Sequence, residues 1–148
     1  MADPAHVLIV ASTYYEEIGQ ELIAGATAAI EMAGCTLELI DVPGAFEIPA
    51  VISFADRSPT RSFDGYVALG CVIRGETTHY DYVCGESARG LQDLAVQRGL
   101  AIGYGIVTVE NRDQAWSRAA VGERNKGGGA AEAALSMVAF QRHFGTTS

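Results

Sequence analysis

The sequence predicts an α/β protein, a three-layer α/β/α sandwich built around a four-stranded parallel sheet. Four short apolar runs of the buried-strand type alternate with segments in which apolar residues recur at helical spacing. Many of the 17 glycines stand beside these runs, where tight connections between strands and helices are needed. Because strand–helix–strand crossovers are right-handed, the helices of such a chain cover both faces of one parallel sheet.

The first half of the chain contains two strand–helix units. His6–Ala11 is the first predicted strand, and Thr36–Val42 is the second. The helix between them is predicted from apolar residues at every fourth position, which are Ile18, Leu22, Ala26 and Ile30. A turn after the second strand leads into a short helix from about Ala45, with Pro49 in its first turns, where a missing N–H costs least.

The second half repeats this pattern. Tyr66–Leu69 is the third predicted strand, and the polar stretch Gly70–Tyr82 is expected to form the loop into a helix that ends near Arg98. Leu100–Val109 is the fourth strand, followed by a loop and a short helix. Asn125–Gly129 is interpreted as a glycine-rich turn before the last helix, because it lacks the spacing of a phosphate-binding P-loop.

The composition excludes several classes of function. Ten lysines and arginines against 18 aspartates and glutamates give a net charge of −8, and no basic stripe is present, so we expect no nucleic-acid partner. No apolar run approaches the ~18 residues that span a bilayer, so we expect no membrane association. The length of 148 residues suits a single domain over residues 1–148.

The cysteines and the N-terminal residues indicate the compartment. Cys35, Cys71 and Cys84 lack the spacing of a metal site and are expected to be small buried hydrophobic residues. An odd number of cysteines suits a reducing environment. The opening segment MADPAHVLIV lacks the basic and apolar regions of an export signal, so we expect a cytoplasmic protein.

Polar residues follow the predicted strands, at the edge of the sheet where α/β proteins bind ligands. Tyr14, Glu47 and His79 lie in three of these connections. The loop before the third helix offers free N–H groups and threonine hydroxyls to an anion, and a histidine there can move a proton near neutral pH. The structural alternatives are Thr78 as an ordinary N-cap and Glu47 as a glutamate that stabilises the helix dipole. The convergence of the loops favours a site.

Three long stretches carry a resemblance to a known family. They read VPGAFEIPA at Val42–Ala50, ALGCVIRGETTHYDYVCGES at Ala68–Ser87, and GIVTVENRDQAW with NKGG at Gly105–Trp116 and Asn125–Gly128. On these stretches the chain resembles the lumazine synthase family of riboflavin biosynthesis. The resemblance implies condensation of 5-amino-6-(D-ribitylamino)uracil with 3,4-dihydroxy-2-butanone 4-phosphate to 6,7-dimethyl-8-ribityllumazine, with release of phosphate and water. It implies no metal site and no organic cofactor.

The resemblance also implies the residues of the site. Tyr14 would stack on the pyrimidine and His79 would transfer protons. The other implied residues are Ala45, Phe46 and Glu47 on the ribityl chain, Cys71, Val72, Ile73 and Tyr104 around the pyrimidine, Glu76, Thr77, Thr78 and Arg118 on the phosphate, and Lys126 at the rim. The family often has phenylalanine or tryptophan at the position of Tyr14 and phenylalanine at that of Tyr104. Stacking survives the first change because tyrosine keeps the ring.

Family members assemble with their sites between neighbouring chains, so the resemblance implies a homopentamer. Tyr104, Arg118 and Lys126 would then come from one chain and the other site residues from the next. Some members close into an icosahedral shell of pentamers, and riboflavin synthase is a further implied partner. The NKGGG segment lies in a region tied to shell formation, but it does not decide between a pentamer and a shell.

Two other functions remain open at this point. One is a flavin-binding electron carrier with the same flavodoxin-like sheet, for which Ser12 and Thr13 after the first strand offer a weak signal without any glycine. The other is a non-catalytic flavin- or lumazine-binding protein on the same fold, against which the presence of both His79 and Arg118 argues. A Schiff base on Lys126 is disfavoured, because the substrate brings its own amine.

Overall fold

A computed structural model describes residues 3–146 as a four-stranded parallel sheet between two layers of helices. The sheet has the order β2-β1-β3-β4, and the strands are β1 His6–Ser12, β2 Thr36–Val42, β3 Gly65–Ile73 and β4 Ile102–Val109. Every neighbouring pair is parallel. The predicted three-layer, flavodoxin-like sandwich is therefore confirmed.

The helices divide between the two faces of the sheet. Those described are α1 Glu16–Met32, α2 Ile48–Asp56, α3 His79–Arg98, α4 Arg112–Ala119 and α5 Lys126–Phe144. Residues of α1, α4 and α5 share one buried cluster with the sheet, and residues of α2 and α3 share the other. None of these helices is long and apolar enough to cross a membrane.

The central strand β1 is buried on both faces because each face has its own helical layer. Val7 and Ile9 belong to the cluster on the α1 side, whereas Leu8 and Val10 belong to the α2 side. All four are fully buried, as expected for a strand inside a parallel α/β sheet. The predicted apolar face of α1 is confirmed, since its members Ile18, Leu22, Ala26 and Ile30 are also fully buried.

The third strand is longer than predicted. Gly70–Ile73, assigned from the sequence to a loop, continues β3 and pairs in register with Ile106–Val109 of β4. The prediction was wrong because small residues end the strongly apolar run, although the ladder to β4 continues. As a result, the polar loop into α3 is short and begins at Arg74.

The predicted glycine-rich turn is also wrong, because α5 begins at Lys126 and includes those glycines. Asn125 precedes the helix with a positive φ of 48°, and its side chain accepts a hydrogen bond from the N–H of Gly128. A Cβ on Gly127 would lie 2.0 Å from the carbonyl oxygen of Leu22. The glycine is therefore needed for the close packing of α5 on α1.

Smaller differences concern the ends of elements. Ala45–Glu47 forms a 3-10 turn before α2, and Pro49 lies in the first turn of α2 as predicted. β4 begins two residues later than expected. Met1, Ala2, Thr147 and Ser148 lie outside the described residues, so the predicted lack of an export signal is not tested over its first two positions.

Candidate active site

A pocket of about 560 Å³ lies at the carboxyl ends of β1, β2 and β3. It is formed where three strand–helix connections meet, as the parallel topology requires. The predicted site residues that line it are Tyr14, Ala45, Phe46, Glu47, Cys71, Val72, Ile73, Thr77 and His79. Its lining contains no arginine or lysine side chain within the described chain. An arginine or lysine side chain that contacts an anion bound there must therefore come from outside this lining.

The connection after β1 supplies the aromatic wall. Tyr14 is 75% exposed, and its ring packs edge-on against Tyr15 with the centroids 5.0 Å apart. Tyr15 packs against the core beside α1, and burial is the main cause that raises the pKa of its hydroxyl. The half-buried ring of Tyr15 thus supports the exposed ring of Tyr14, which leaves the Tyr14 face available to a planar ligand.

The connection after β2 supplies a carboxylate. Glu47 occupies the N-cap position of α2, but its side chain makes no capping hydrogen bond there. Its carboxylate is exposed and has no hydrogen-bond or ion-pair partner among residues 3–146. The position at the start of α2 agrees with the structural alternative of a glutamate that stabilises the helix dipole, and both oxygens are also able to accept hydrogen bonds from a ligand.

The end of β3 forms the floor of the pocket. Cys71 is buried, and its burial raises the pKa of the thiol to about 11, although the Arg112 guanidinium acts in the opposite direction. The thiol is therefore protonated at neutral pH and behaves as a small hydrophobic group. Val72 and Ile73 are half-buried beside it. Of the other cysteines, Cys35 is buried as predicted, whereas Cys84 is only half-buried.

Residues 75–78, which we call the anion loop, lie at the edge of the pocket and are exposed. None of their backbone N–H groups donates a hydrogen bond within the described part of the chain. The hydroxyl of Thr77 accepts a hydrogen bond from the N–H of His79, 3.3 Å away, at the start of α3. Thr78 occupies the N-cap position, as the structural alternative expected, but its side chain makes no capping hydrogen bond.

The predicted proton-transfer residue His79 and the predicted phosphate residues Glu76 and Thr78 differ in whether they line the pocket. His79 is the first residue of α3, is exposed and lines the pocket. Glu76 and Thr78 belong to the anion loop without lining the pocket. An exposed histidine beside free N–H groups at a helix start can exchange protons with a ligand whose negative charge the N–H groups hold.

Three further predicted site residues lie outside both the pocket lining and the anion loop, and we call Tyr104, Arg118 and Lys126 the β4-side group. Tyr104 lies on the edge strand β4, and its hydroxyl is close to Ser87 of α3. Burial is the main cause that raises the pKa of this hydroxyl. Arg118 lies in the last turn of α4, and its Nη1 donates to the carbonyl oxygen of Gln114 at 3.1 Å. Lys126 is the exposed first residue of α5.

The pocket also contains residues that the sequence reasoning missed. The largest are Tyr15 and Tyr80, and Ser12, Gly75 and Val83 also line it. Tyr15 and Tyr80 directly follow Tyr14 and His79, which are exposed themselves. The doubled aromatic pair STYY and the aromatic residues of THYDY were available signals, because an α/β pocket needs walls as well as polar groups.

These features define a class of protein. An α/β fold carries an open pocket with an aromatic face, an unpaired carboxylate, a histidine and free N–H groups suited to an anion. Within residues 3–146, no group of His, Cys, Asp and Glu side chains could hold a metal ion. The arrangement suits an α/β enzyme that binds small molecules, since it offers an aromatic face, hydrogen-bond acceptors and N–H groups able to hold an anion.

Comparison with known proteins identifies the family. A model of the 6,7-dimethyl-8-ribityllumazine synthase family matches residues 4–142, and the chain therefore belongs to that family. A 6,7-dimethyl-8-ribityllumazine synthase of Bartonella bacilliformis is 56% identical over 140 residues, or 95% of this chain and 92% of that protein. The protein of the same name from Azorhizobium caulinodans is 57% identical over 93% of this chain and 87% of its own length.

Proposed function

We propose that this chain condenses 5-amino-6-(D-ribitylamino)uracil with 3,4-dihydroxy-2-butanone 4-phosphate to 6,7-dimethyl-8-ribityllumazine, releasing phosphate and water. The family match over residues 4–142 carries this proposal. Members of the family are transferases of riboflavin biosynthesis. The pocket supports it because about 560 Å³ lies within the range of sites that hold small molecules. A single domain and a cytoplasmic location complete the proposal.

The ribitylaminouracil would occupy the part of the pocket between the β1 and β2 connections. Tyr14 would stack on the pyrimidine, and the backbone of Cys71–Ile73 would contact its polar edge. The ribityl chain would lie along Ala45 and Phe46, with Glu47 accepting hydrogen bonds from its hydroxyls. The exposed ring of Tyr14 and the unpaired carboxylate of Glu47 support this orientation.

The butanone phosphate would bind with its phosphate on the anion loop. The free N–H groups of residues 75–78, including those of Glu76 and Thr78, would donate to the phosphate oxygens, together with the hydroxyl of Thr77. Because the pocket lining has no cationic side chain, Arg118 would supply the fixed positive charge from outside it. The phosphate end of the site is thus shared between two surfaces.

His79 would serve the proton transfers of the reaction. The substrate amine attacks the ketone and gives an imine with loss of water, phosphate then leaves, and the ring closes with loss of water. Each of these steps moves a proton to or from nitrogen, oxygen or carbon. His79 lies on the pocket wall beside the anion loop, within the region where both substrates would meet. Holding the two substrates together supplies much of the rate.

The β4-side group would complete the site of a neighbouring chain in a homopentamer. Tyr104 would close the pyrimidine end, Arg118 would bind the phosphate, and Lys126 would lie at the rim. Lys126 supports this, because a cation at the first residue of a helix is opposed by the helix dipole and gains no stability there. A larger shell of pentamers and a complex with riboflavin synthase extend the proposal, and sedimentation of the protein alone and with that enzyme tests both.

The test is an absorbance assay of lumazine formation from the two substrates, compared with their spontaneous reaction. We expect the protein to exceed that background by far. Arg118→Ala should lower kcat/KM for the butanone phosphate about 100-fold, because it removes charge-assisted hydrogen bonds worth ~1.5–3 kcal/mol each. Arg57→Ala is the matched control, since that arginine contacts Ser53 of its own helix and not the pocket. A folded protein no faster than background would leave only ligand binding on this fold.

A further inference from the structure

Arg74 is a charged residue to which the proposed function gives no role. Its Nε lies 2.7 Å from Oε2 of Glu110, its Nη1 lies 3.6 Å from Oδ1 of Asp81, and its Cζ lies 4.2 Å from the ring centroid of Tyr80. Glu110 directly follows β4, whereas Tyr80 and Asp81 lie in the first turn of α3. The Arg74 side chain therefore connects the end of β3 with the end of β4 and the start of α3, and these three segments surround the anion loop.

The backbone of Arg74 is fixed as well. Its N–H donates to the carbonyl oxygen of Val109 at 2.9 Å, which continues the β3–β4 ladder by one residue. Arg74 does not line the pocket, although its neighbours Ile73 and Gly75 do. It directly follows β3, at the point where the chain leaves the sheet.

Tyr80 connects this cluster to the pocket. It lines the pocket, and it also lies under the Arg74 guanidinium in a cation–π contact. The hydrogen bond that Arg74 Nε donates to Glu110 is the main cause that raises the pKa of Arg74, so the guanidinium stays charged throughout the range in which the enzyme works. The two ends of the anion loop, at Arg74 and at the start of α3, are therefore held by one permanent charge.

We propose that Arg74 is a positioning residue, which through Glu110, Asp81 and Tyr80 holds the anion loop and His79 in the arrangement that receives the phosphate-bearing substrate. The inference rests on the proposed function of the site. The contacts of Arg74 are exposed, since 43% of the Arg74 side chain and 58% of the Glu110 side chain are accessible to solvent. They therefore add little to the stability of the fold. Their loss should instead alter geometry, and a shift of about 1 Å in a reacting group costs up to ~100-fold in rate.

The main test is Arg74→Gln in the assembled enzyme, assayed with each substrate varied in turn. We expect kcat to fall about tenfold and KM for the butanone phosphate to rise, because the loop no longer holds its geometry. KM for the ribitylaminouracil and the unfolding temperature should stay close to wild type. Arg74→Lys, which keeps the charge without the planar fork, should recover part of the loss. Unchanged kinetics in Arg74→Gln, or a fall in unfolding temperature that accounts for the lost activity, would overturn the proposal.

A double-mutant cycle separates positioning from direct binding of phosphate. If Arg74 acts through Glu110, the Glu110→Gln variant should share the defect, and the double variant should be no worse than Arg74→Gln. If Arg74 instead bound the phosphate itself, Glu110→Gln would release the guanidinium and lower KM for the butanone phosphate, which would contradict the proposal. Arg89→Gln is the matched control, because Arg89 also pairs with two carboxylates, Glu86 and Asp93, but on the outer surface of α3.

A second readout keeps this test separate from the test of the reaction. Inorganic phosphate, titrated into the wild-type protein, should shift the imidazole NMR signals of His79, and the shift should be much smaller in Arg74→Gln. A wild-type protein that is no faster than background but shows this difference would refute the proposed function and retain the positioning role. Equal shifts in the two proteins would refute the positioning role whatever the activity.

Discussion

The pocket and the β4-side group differ in how much of a site one chain assembles. The pocket draws Tyr14, Glu47 and His79 from three separate connections into one cavity, because the carboxyl ends of parallel strands share an edge. Tyr104, Arg118 and Lys126 lie on β4, α4 and the first residue of α5, and none of them lines that cavity. The sheet alone therefore brings together the pocket residues, whereas the cations that we propose for the site lie on other elements.

This difference has a consequence for assembly. Among the described residues, the pocket lining has no arginine or lysine, whereas the β4-side group contains Arg118 and Lys126. The two surfaces are therefore complementary but not alike. A contact between them would be head-to-tail, and such contacts generate closed rings or open filaments rather than two-fold dimers. The proposed sharing of the site between chains is therefore compatible with the cyclic pentamer that we propose.

Complementation between inactive variants gives the largest expected effect. The double variant Glu47→Ala/His79→Ala lacks the pocket groups, and Arg118→Ala lacks the phosphate cation, so each alone should be nearly inactive. Equal amounts unfolded together and reassembled should recover about a quarter of wild-type activity, since that share of random head-to-tail contacts pairs two intact halves.

The control for this experiment mixes two variants altered on the same side. Arg118→Ala with Arg118→Ala/Lys126→Ala should regain nothing beyond the activity of Arg118→Ala alone. Mass spectrometry of the reassembled protein should verify that mixed oligomers have formed. Mixed oligomers of the complementary pair without recovered activity would mean that pocket and β4-side group act within one chain, and the comparison would fail.

Loss of the histidine should have a smaller effect than loss of the arginine. His79→Ala should lower kcat about tenfold, less than the ~10²–10⁴-fold typical of general acid–base groups, because the side chain is exposed and water can replace part of its role. His143→Ala, an exposed histidine near the end of α5, should match wild type. A greater loss in His79→Ala than in Arg118→Ala would reverse this order.

The two regions also differ in how far the sequence could predict them. The face of α1 was predictable because Ile18, Leu22, Ala26 and Ile30 follow a local period and all meet the sheet. The start of α5 was not, because Gly127 is required by the carbonyl of Leu22, a contact that only the folded chain brings together. Local pattern describes elements well and close tertiary approaches poorly.

The site shows the same limit. Glu47 and His79 were found because each follows a strand, which the topology alone places at one edge. Tyr80 was missed because its role as a wall depends on the direction in which the first turn of α3 faces. The placement of Tyr104 and Arg118 in the site came from the family resemblance and not from any pattern in the chain, since residues that would act from a second copy, as we propose, leave no local signal.

The smallest expected effect concerns the thiol at the floor of the pocket. Burial raises the pKa of Cys71 to about 11, so the protonated form predominates below that pH and the reactive thiolate becomes abundant only above it. Alkylation of Cys71 by iodoacetamide, followed on its peptide by mass spectrometry, should rise about tenfold per pH unit from 7 to 10 without a plateau. In denaturant, the alkylation rate of the same peptide should level off above the ordinary thiol pKa of ~8.5. Because the thiol stays protonated and inert, activity should survive the reagent at pH 8. Labelling at pH 8 as fast as in the unfolded chain would mean that the floor of the pocket is open, and that one chain does not close even its own half of the site.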